Sequence, residues 1–146
     1  MVNKARALDV YEVFEKIEQA AARKDKIRIL KENSNRPAIR DVLQGTFDPN
    51  IQWNLPAGTP PYTPQVDGPP APKTLLKEHM NFRYFVKGLI SSERLTTIKR
   101  ERMFIDLLES IHPRDAEILV SMINKKQPVS GLTEKLVKEA IPGLIP

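Results

Sequence analysis

The amino-acid sequence predicts an all-α fold, and three observations carry this prediction. Apolar residues recur at spacings of three and four along most of the chain, as at Tyr11, Phe14 and Ile17. No stretch alternates apolar with polar residues in the way that is typical of a strand. Prolines are concentrated in residues 46–72, where the missing N–H groups and the ring clashes exclude a helix. We therefore expect a compact multi-helix domain of about seven helices with one long proline-rich loop.

Three helices are predicted before the loop, and they cover residues 4–22, 25–33 and 36–44. The first is amphipathic, and its apolar face ends at Ala21. The second directs Ile27 and Leu30 inward. Pro37 suits the first position of the third helix, and Gly45 is its predicted C-cap.

The loop, residues 46–72, contains Trp53 and other large apolar residues, which a disordered linker rarely carries. We expect residues 46–56 to pack on the helices and residues 57–72 to be more mobile. A loop of this length is equally consistent with a binding segment and with a structural strap.

Four helices are predicted after the loop, and they cover residues 74–90, 96–111, 113–125 and 133–141. Ser91-Ser92 ends the first of them, which turns Met80 and Leu89 inward. In the next, Ile98 is predicted to face inward. Pro113 suits a helix start, and Thr133 is a possible N-cap of the last helix.

Composition indicates one domain over residues 1–146, with the loop inserted between helices in 4–45 and helices in 74–141. The sequence has no cysteine, no apolar run of membrane-spanning length and no signal-peptide pattern, so we expect a cytoplasmic protein. The net charge of +5 attracts polyanions only weakly.

Catalytic chemistry is not predicted. The two histidines, His79 and His112, lie in different predicted elements with no reason to meet, and without cysteines they make a poor metal set. No glycine-rich phosphate loop is present. We therefore expect a non-enzymatic protein with no catalytic residue, no metal and no cofactor.

A basic turn near the C-terminal end is the candidate nucleic-acid site. Its ammonium groups and the N–H groups at a helix start could contact DNA phosphates. The alternative interpretation is a solvated helix end, where lysines complement the helix dipole. The candidate residues are Lys125, Lys126, Ser130, Gly131, Thr133 and Lys135.

The proline-rich loop is the candidate protein-interaction site. It combines Pro60-Pro61-Tyr62 with Trp53 and has no lysine or arginine between Thr46 and Pro72, which suits a protein surface better than phosphate. The protein itself would then be a virion or assembly component, or a modulator of an enzyme, and its partner would be another protein.

The ending Pro142-Gly143-Leu144-Ile145-Pro146, after a basic turn and a short helix, resembles the end of the N-terminal helical DNA-binding domain of phage-type ATP-dependent DNA ligases. The likeness extends to residues 22–43 and to the aromatic loop 45–61. It implies a ligase-like helical domain that contacts the backbone of double-stranded DNA. The Lys-x-Asp-Gly adenylation motif is absent, and Asp67-Gly68 is preceded by Gln65-Val66, so ligation is not implied.

The whole chain also resembles an uncharacterised family of small proteins of tailed phages, of the cyanophage type. The similar features are the loop that begins at Gly45, the Pro-Pro-Tyr segment at residues 60–62, and the Pro-Gly-Leu-Ile-Pro ending. This resemblance implies a phage protein that acts in the cytoplasm of an infected bacterial host, and it implies no particular activity.

Overall fold

The computed structural model describes residues 7–66 and 70–146. It confirms the all-α fold that the sequence predicts. Within these residues, eight α-helices and one 3-10 helix form the regular structure. In chain order they are α1 (Val10–Gln19), α2 (Arg23–Glu32), α3 (Pro37–Phe47), α4 (Leu75–Glu78), the 3-10 helix (His79–Tyr84), α5 (Ile90–Glu93), α6 (Thr97–Ser110), α7 (Pro113–Ile123) and α8 (Glu134–Ala140).

Local sequence signals set several helix ends as predicted. Pro37 and Pro113 each occupy the first turn of a helix, and the Thr133 hydroxyl accepts a hydrogen bond from the Leu136 N–H at the start of α8. Helix α1 is shorter than the predicted range 4–22. It ends before Ala20, and Ala21 is exposed; residues 4–6 lie outside the described part of the chain.

The prediction that Gly45 caps α3 is wrong, because the helix continues to Phe47. Gly45 is buried inside the last turn of this helix. A Cβ atom there would lie 2.6 Å from Trp53 Cζ2 and 2.7 Å from Met122 Sδ. Glycine is therefore required at this position by close packing and not by a left-handed backbone.

The prediction of a single helix over residues 74–90 is also wrong. Helix α4 stops at Glu78 and continues as a 3-10 helix, whose three-residue turn places Phe82 and Phe85 on the buried side. The apolar residues of this stretch cannot all face one way. Met80 and Leu89, which we predicted to face inward, are 66% and 45% exposed.

Two further predictions differ from the structure. Ser91-Ser92 does not break a helix but lies within α5. Ile98, predicted to face inward, is 73% exposed in the first turn of α6. The helical spacing places Ile98 on the same side of α6 as Ile105. This side of the helix is exposed in the first turn.

The core joins helices from both sides of the loop. Helix α3 packs on α7, α1 packs on α2 and α7, and α2 packs on α8. Fully buried side chains from these helices meet in one cluster that includes Phe14, Leu43, Leu108, Leu119 and Leu136. Each large aliphatic or aromatic side chain buried in this way stabilises the fold by about 1.5–3 kcal/mol.

The first half of the loop packs on the helices as predicted. Trp53 forms an isolated antiparallel bridge with Val86, flanked by hydrogen bonds from Asn54 N to Phe85 O (2.6 Å) and from Lys87 N to Gln52 O (2.7 Å). These bonds hold the loop against the chain that follows the 3-10 helix.

The second half of the loop, which we predicted to be more mobile, is attached to α6 and α7. Gly58 N donates to Asn124 Oδ1 (2.7 Å), and Asn124 Nδ2 donates back to Gly58 O (3.0 Å). Further along, Thr63 N donates to Glu109 Oε2 (2.7 Å). The Gln65 side-chain amide donates to the Glu109 carbonyl. Residues 67–69 lie outside the described part of the chain.

Arg100 is a buried cation that links the loop to α5 and α6. Its Nε donates to the carbonyl of Asn54 (2.8 Å), and its Nη1 donates to the carbonyls of Ser92 (3.2 Å) and Leu95 (3.0 Å). Three carbonyls that would otherwise be poorly solvated are therefore satisfied by one guanidinium.

A membrane-spanning helix is not found anywhere in residues 7–66 and 70–146, because none of the helices there is both long and apolar enough.

Asp115 is a buried carboxylic acid where α1 meets α7. Its Oδ1 accepts the N–H of Tyr11 (2.9 Å), one of the donors that the first turn of α1 leaves unpaired. Burial raises the pKa of Asp115 to about 7; the Tyr11 hydrogen bond opposes this, and the charges of Asp9 and Glu12 add to it.

We predict that Asp115 makes the protein less stable as the pH rises. Between pH 3.8, the ordinary pKa, and about 7 the folded protein binds a proton that the unfolded chain has lost. The free energy of unfolding therefore falls through this window and stays reduced above it. Asp115→Asn keeps an acceptor for Tyr11 but cannot ionise, so its stability at pH 8 should exceed that of the wild type, by at most about 4 kcal/mol.

Urea denaturation of both proteins at pH 4, 6 and 8 measures this difference, and Asp106→Asn, at an exposed position of α6, is the matched control. Parallel stability curves for wild type and Asp115→Asn would show that the carboxyl is ionised in the folded protein.

Candidate functional site

Lys125, the first candidate residue of the basic turn, makes hydrogen bonds within the protein. It follows α7 with a left-handed backbone (φ 57°), and its Nζ donates to the carbonyls of Gly45 and Asp48, each at 2.8 Å. These carbonyls belong to the C-terminal end of α3, where a cation is favourable. Burial lowers the pKa of the Lys125 ammonium, which the charge of Asp48 opposes. Lys125 is therefore a capping residue of α3.

The small residues of the turn also have partners within the protein. Ser130 N donates to Glu18 Oε2 (3.2 Å), so a carboxylate already occupies a position where a phosphate oxygen was expected. Gly131 has a left-handed backbone (φ 84°) and is covered by Lys26, whose Nζ donates to the carbonyl of Ile17 (2.7 Å). Thr133 caps α8.

Lys126 and Lys135 remain available. Both side chains are exposed, and neither has an ion-pair partner among the residues that the structure describes. Acidic groups lie close to Lys135 in the chain: Glu134 pairs with Lys138 (3.2 Å), and Glu139 pairs with Arg23. The six predicted residues thus include two accessible cations in a turn whose charge is partly balanced.

The two histidines have separate structural partners. His79 Nδ1 lies 2.5 Å from Asp41 Oδ2, whereas His112 accepts the Arg114 N–H and stacks on the Tyr11 ring at 3.9 Å. In residues 7–66 and 70–146, no three His, Asp or Glu side chains are grouped so that they could hold a metal ion.

Trp53, the first candidate of the loop, is half-buried against α3 and the 3-10 helix. Its indole Nε1 donates to the Gly45 carbonyl (2.9 Å), and its ring meets Phe82 edge-on at 6.1 Å. The indole Cζ2 and Met122 both lie where a Cβ atom at Gly45 would be in close contact with them. Trp53 therefore anchors the loop and at the same time contributes to the surface beside it.

Pro60 and Pro61 form one wall of an apolar cleft of about 380 Å³, which we call the loop cleft. Its opposite wall comes from α6 and α7, with buried Phe104 at the base. Glu101 is the one charged residue among those that line it. Tyr62 lies just outside, half-buried against the core, and burial raises the pKa of its hydroxyl. The apolar lining consists mainly of Leu55, Pro60, Pro61, Phe104, Ile105 and Ile123.

A second groove, also of about 380 Å³, lies between α3 and the 3-10 helix, and Trp53 is part of its lining. We call it the tryptophan groove. Its lining includes three residues with ionisable side chains, which are Asp41, His79 and Arg83. Its apolar lining consists mainly of Ile51, Trp53, Met80, Phe82, Val86 and Leu89.

Comparison with protein families gives a match over residues 13–128. The chain belongs to the DUF6433 family, a family of unknown function. The DUF6433 match contains all the residues that line the two grooves. It also contains Lys125 and Lys126 of the basic turn, whereas Ser130, Gly131, Thr133 and Lys135 follow it. No curated protein matches the chain significantly.

Sequence reasoning identified part of each groove. It selected Trp53, Pro60 and Pro61 but missed the helical walls, since Ile105 and Ile123 were expected to be ordinary core residues. One signal was present: residues 75–90 have apolar side chains on every side of a helix, so some of them had to be exposed.

We predict that Lys125 and Lys126 differ sharply in their effect on stability. Lys125→Met keeps the backbone and the apolar stem but leaves two carbonyls without their charged donor, and should lower the free energy of unfolding by about 2 kcal/mol. Lys126→Met, the matched control at an exposed site, should change it by less than about 0.5 kcal/mol. Urea denaturation followed by the fluorescence of Trp53, the single tryptophan, measures both. If the two substitutions changed the free energy of unfolding equally, Lys125 would not be a capping residue of α3.

Proposed function

We propose that this protein is a non-catalytic protein-interaction module that binds an apolar segment of a partner in the loop cleft. The observation that carries the proposal is that Pro60 and Pro61 form a fixed wall opposite α6. The described loop residues on either side are hydrogen-bonded to Asn124 and Glu109. A wall already fixed in place costs little conformational entropy when a ligand binds.

The chemistry of the loop cleft supports this proposal. The volume of about 380 Å³ is within the range of ligand-binding clefts, and the lining is aliphatic, proline and aromatic. A partner side chain inserted beside Ile105 and Phe104 would be removed from water on several sides, as interface hot spots are. Phosphate would find no cation in this lining.

The predicted test is a selection of random 12-residue peptides displayed on a particle, with the wild-type protein as bait. Enriched peptides should contain aromatic or aliphatic residues. Ala57→Arg and Ile105→Arg, which place a charge in the cleft, should each weaken binding by at least about tenfold, about 1.4 kcal/mol. Val66→Arg is the matched control, because Val66 is 74% exposed in the same loop and does not line the cleft.

Thermal melts confirm that each variant is folded. Because Ala57 is exposed, its replacement decides the result should Ile105→Arg fail to fold. Peptides that bind the wild type and both cleft variants equally well would remove the loop cleft as the binding site.

Contact with the backbone of double-stranded DNA is a second candidate function, favoured by the exposed and unpaired Lys126 and Lys135 in the described structure. It agrees with the resemblance to phage-type ligase domains, which stays a prediction, as does action in an infected host cell. Glu18 and Glu134 beside the turn weigh against strong binding, since both already engage groups of this turn or helix.

We predict that two phosphate contacts would give a slope of about −1.8 for log affinity against log salt. Titration of a labelled 20-base-pair duplex at two salt concentrations measures this slope. Lys126→Glu combined with Lys135→Glu should abolish binding, and Lys31→Glu combined with Lys99→Glu, at exposed sites of α2 and α6, is the control that changes the net charge equally. Binding that is absent at low salt, or unchanged in the double variant, excludes the basic turn.

A further inference from the structure

The tryptophan groove is bordered by apolar side chains that the fold leaves in water. Met80 and Leu89 line it and are 66% and 45% exposed, and Ile90, the next residue along the chain, is 70% exposed. Burying such side chains is favourable by about 25 cal/mol for each Å² of apolar surface. Grouped exposure of this kind marks an interaction surface more often than scattered single residues do.

The groove lining holds one carboxylate, Asp41, and one guanidinium, Arg83, and a second cation, Lys87, follows the lining residue Val86 in the chain. Arg83 has no ion pair among the described residues: its Nη2 donates to the Tyr84 hydroxyl (3.0 Å), and its guanidinium lies 5.0 Å from the ring centre. The exposed side chain of Lys87, next to Val86, has no ion pair in the described part of the chain.

The acidic groups nearby are already engaged. Asp41 contacts His79 at 2.5 Å. Glu93 Oε1 accepts hydrogen bonds from Gly88 N (2.8 Å) and Asn54 Nδ2 (3.3 Å). The two cations therefore lack a carboxylate partner, while the two carboxylates have donors.

We infer that the tryptophan groove is a second docking surface, which binds an acidic amphipathic segment of a partner protein. Apolar side chains of that segment would insert beside Trp53, Met80 and Leu89, and its carboxylates would pair with Arg83 and Lys87. An amphipathic helix in an apolar groove is a common recognition mode, and the charges would fix its orientation. This inference is independent of the loop cleft.

The recessed apolar lining favours a protein segment over the other polyanions. A DNA backbone would pair with Arg83 and Lys87 but would leave Met80 and Leu89 facing phosphate and water. A lipid surface would cover exposed apolar side chains at the rim, whereas it could not fill a groove of about 380 Å³ whose lining includes buried Phe82.

Trp53 provides a direct measurement, because it lines the groove and is the single tryptophan of the chain. The probe is a synthetic 16-residue peptide with leucine and phenylalanine at helical spacing and glutamate at the other positions. Its matched control has lysine in place of every glutamate. We expect the glutamate peptide to change the Trp53 emission on binding, and the lysine peptide to bind at least about tenfold more weakly.

Variants locate the site. Arg83→Glu combined with Lys87→Glu should weaken binding of the glutamate peptide by at least about tenfold and reduce its dependence on salt. Met80→Glu should have a similar effect on affinity. Lys31→Glu combined with Lys99→Glu changes the net charge equally at exposed sites outside the groove and should leave the affinity within about twofold.

Each contrary result has a distinct meaning. Equal binding of the two peptides, or no effect of the Arg83 and Lys87 reversals, overturns the inference. A response to vesicles of phosphatidylglycerol or to a DNA duplex, but not to the glutamate peptide, overturns it in favour of lipid or nucleic acid. Loss of binding in Ile105→Arg but not in Met80→Glu assigns the peptide to the loop cleft instead. The melting temperature of each free variant shows that it is folded, and the exposed charge reversals decide the result should Met80→Glu unfold.

Discussion

The carbonyl group of Gly45 is the point on which the arrangement of this protein depends. It accepts hydrogen bonds from Trp53 Nε1 at 2.9 Å and from Lys125 Nζ at 2.8 Å. The last turn of α3, the proline-rich loop and the end of α7 therefore meet at one atom. Because Gly45 has no side chain, the indole and Met122 can approach the helix backbone closely enough for these bonds to form.

This junction determines what the neighbouring charges and aromatic groups are free to do. Lys125 directs its ammonium group to two carbonyls at the end of α3, so this charge is held within the fold. Trp53, fixed by its own hydrogen bond, lines the tryptophan groove, and residues that follow it in the loop line the loop cleft. The loop thus acts as a structural strap and as part of two surfaces, so the two interpretations suggested by its sequence are compatible.

The two grooves have equal volumes but different electrostatics. The loop cleft has Glu101 as its one charged lining residue, whereas the tryptophan groove has both Asp41 and Arg83 in its lining. Two such surfaces on a small helical protein would allow it to contact two partners, or two segments of one partner. In the functions that we propose, the protein would work by bringing other molecules together.

The sequence by itself determined the all-α class, most of the long helices and the attachment of Trp53, because helical periodicity, proline placement and capping residues are local properties. Tertiary structure decided the rest. Local periodicity could not show that residues 74–90 form several short elements, since their apolar side chains point in every direction and only packing chooses which are buried. Nor could it show that Lys125 is used internally while Lys126 is not, because the carbonyls that bind Lys125 belong to a helix some eighty residues earlier in the chain.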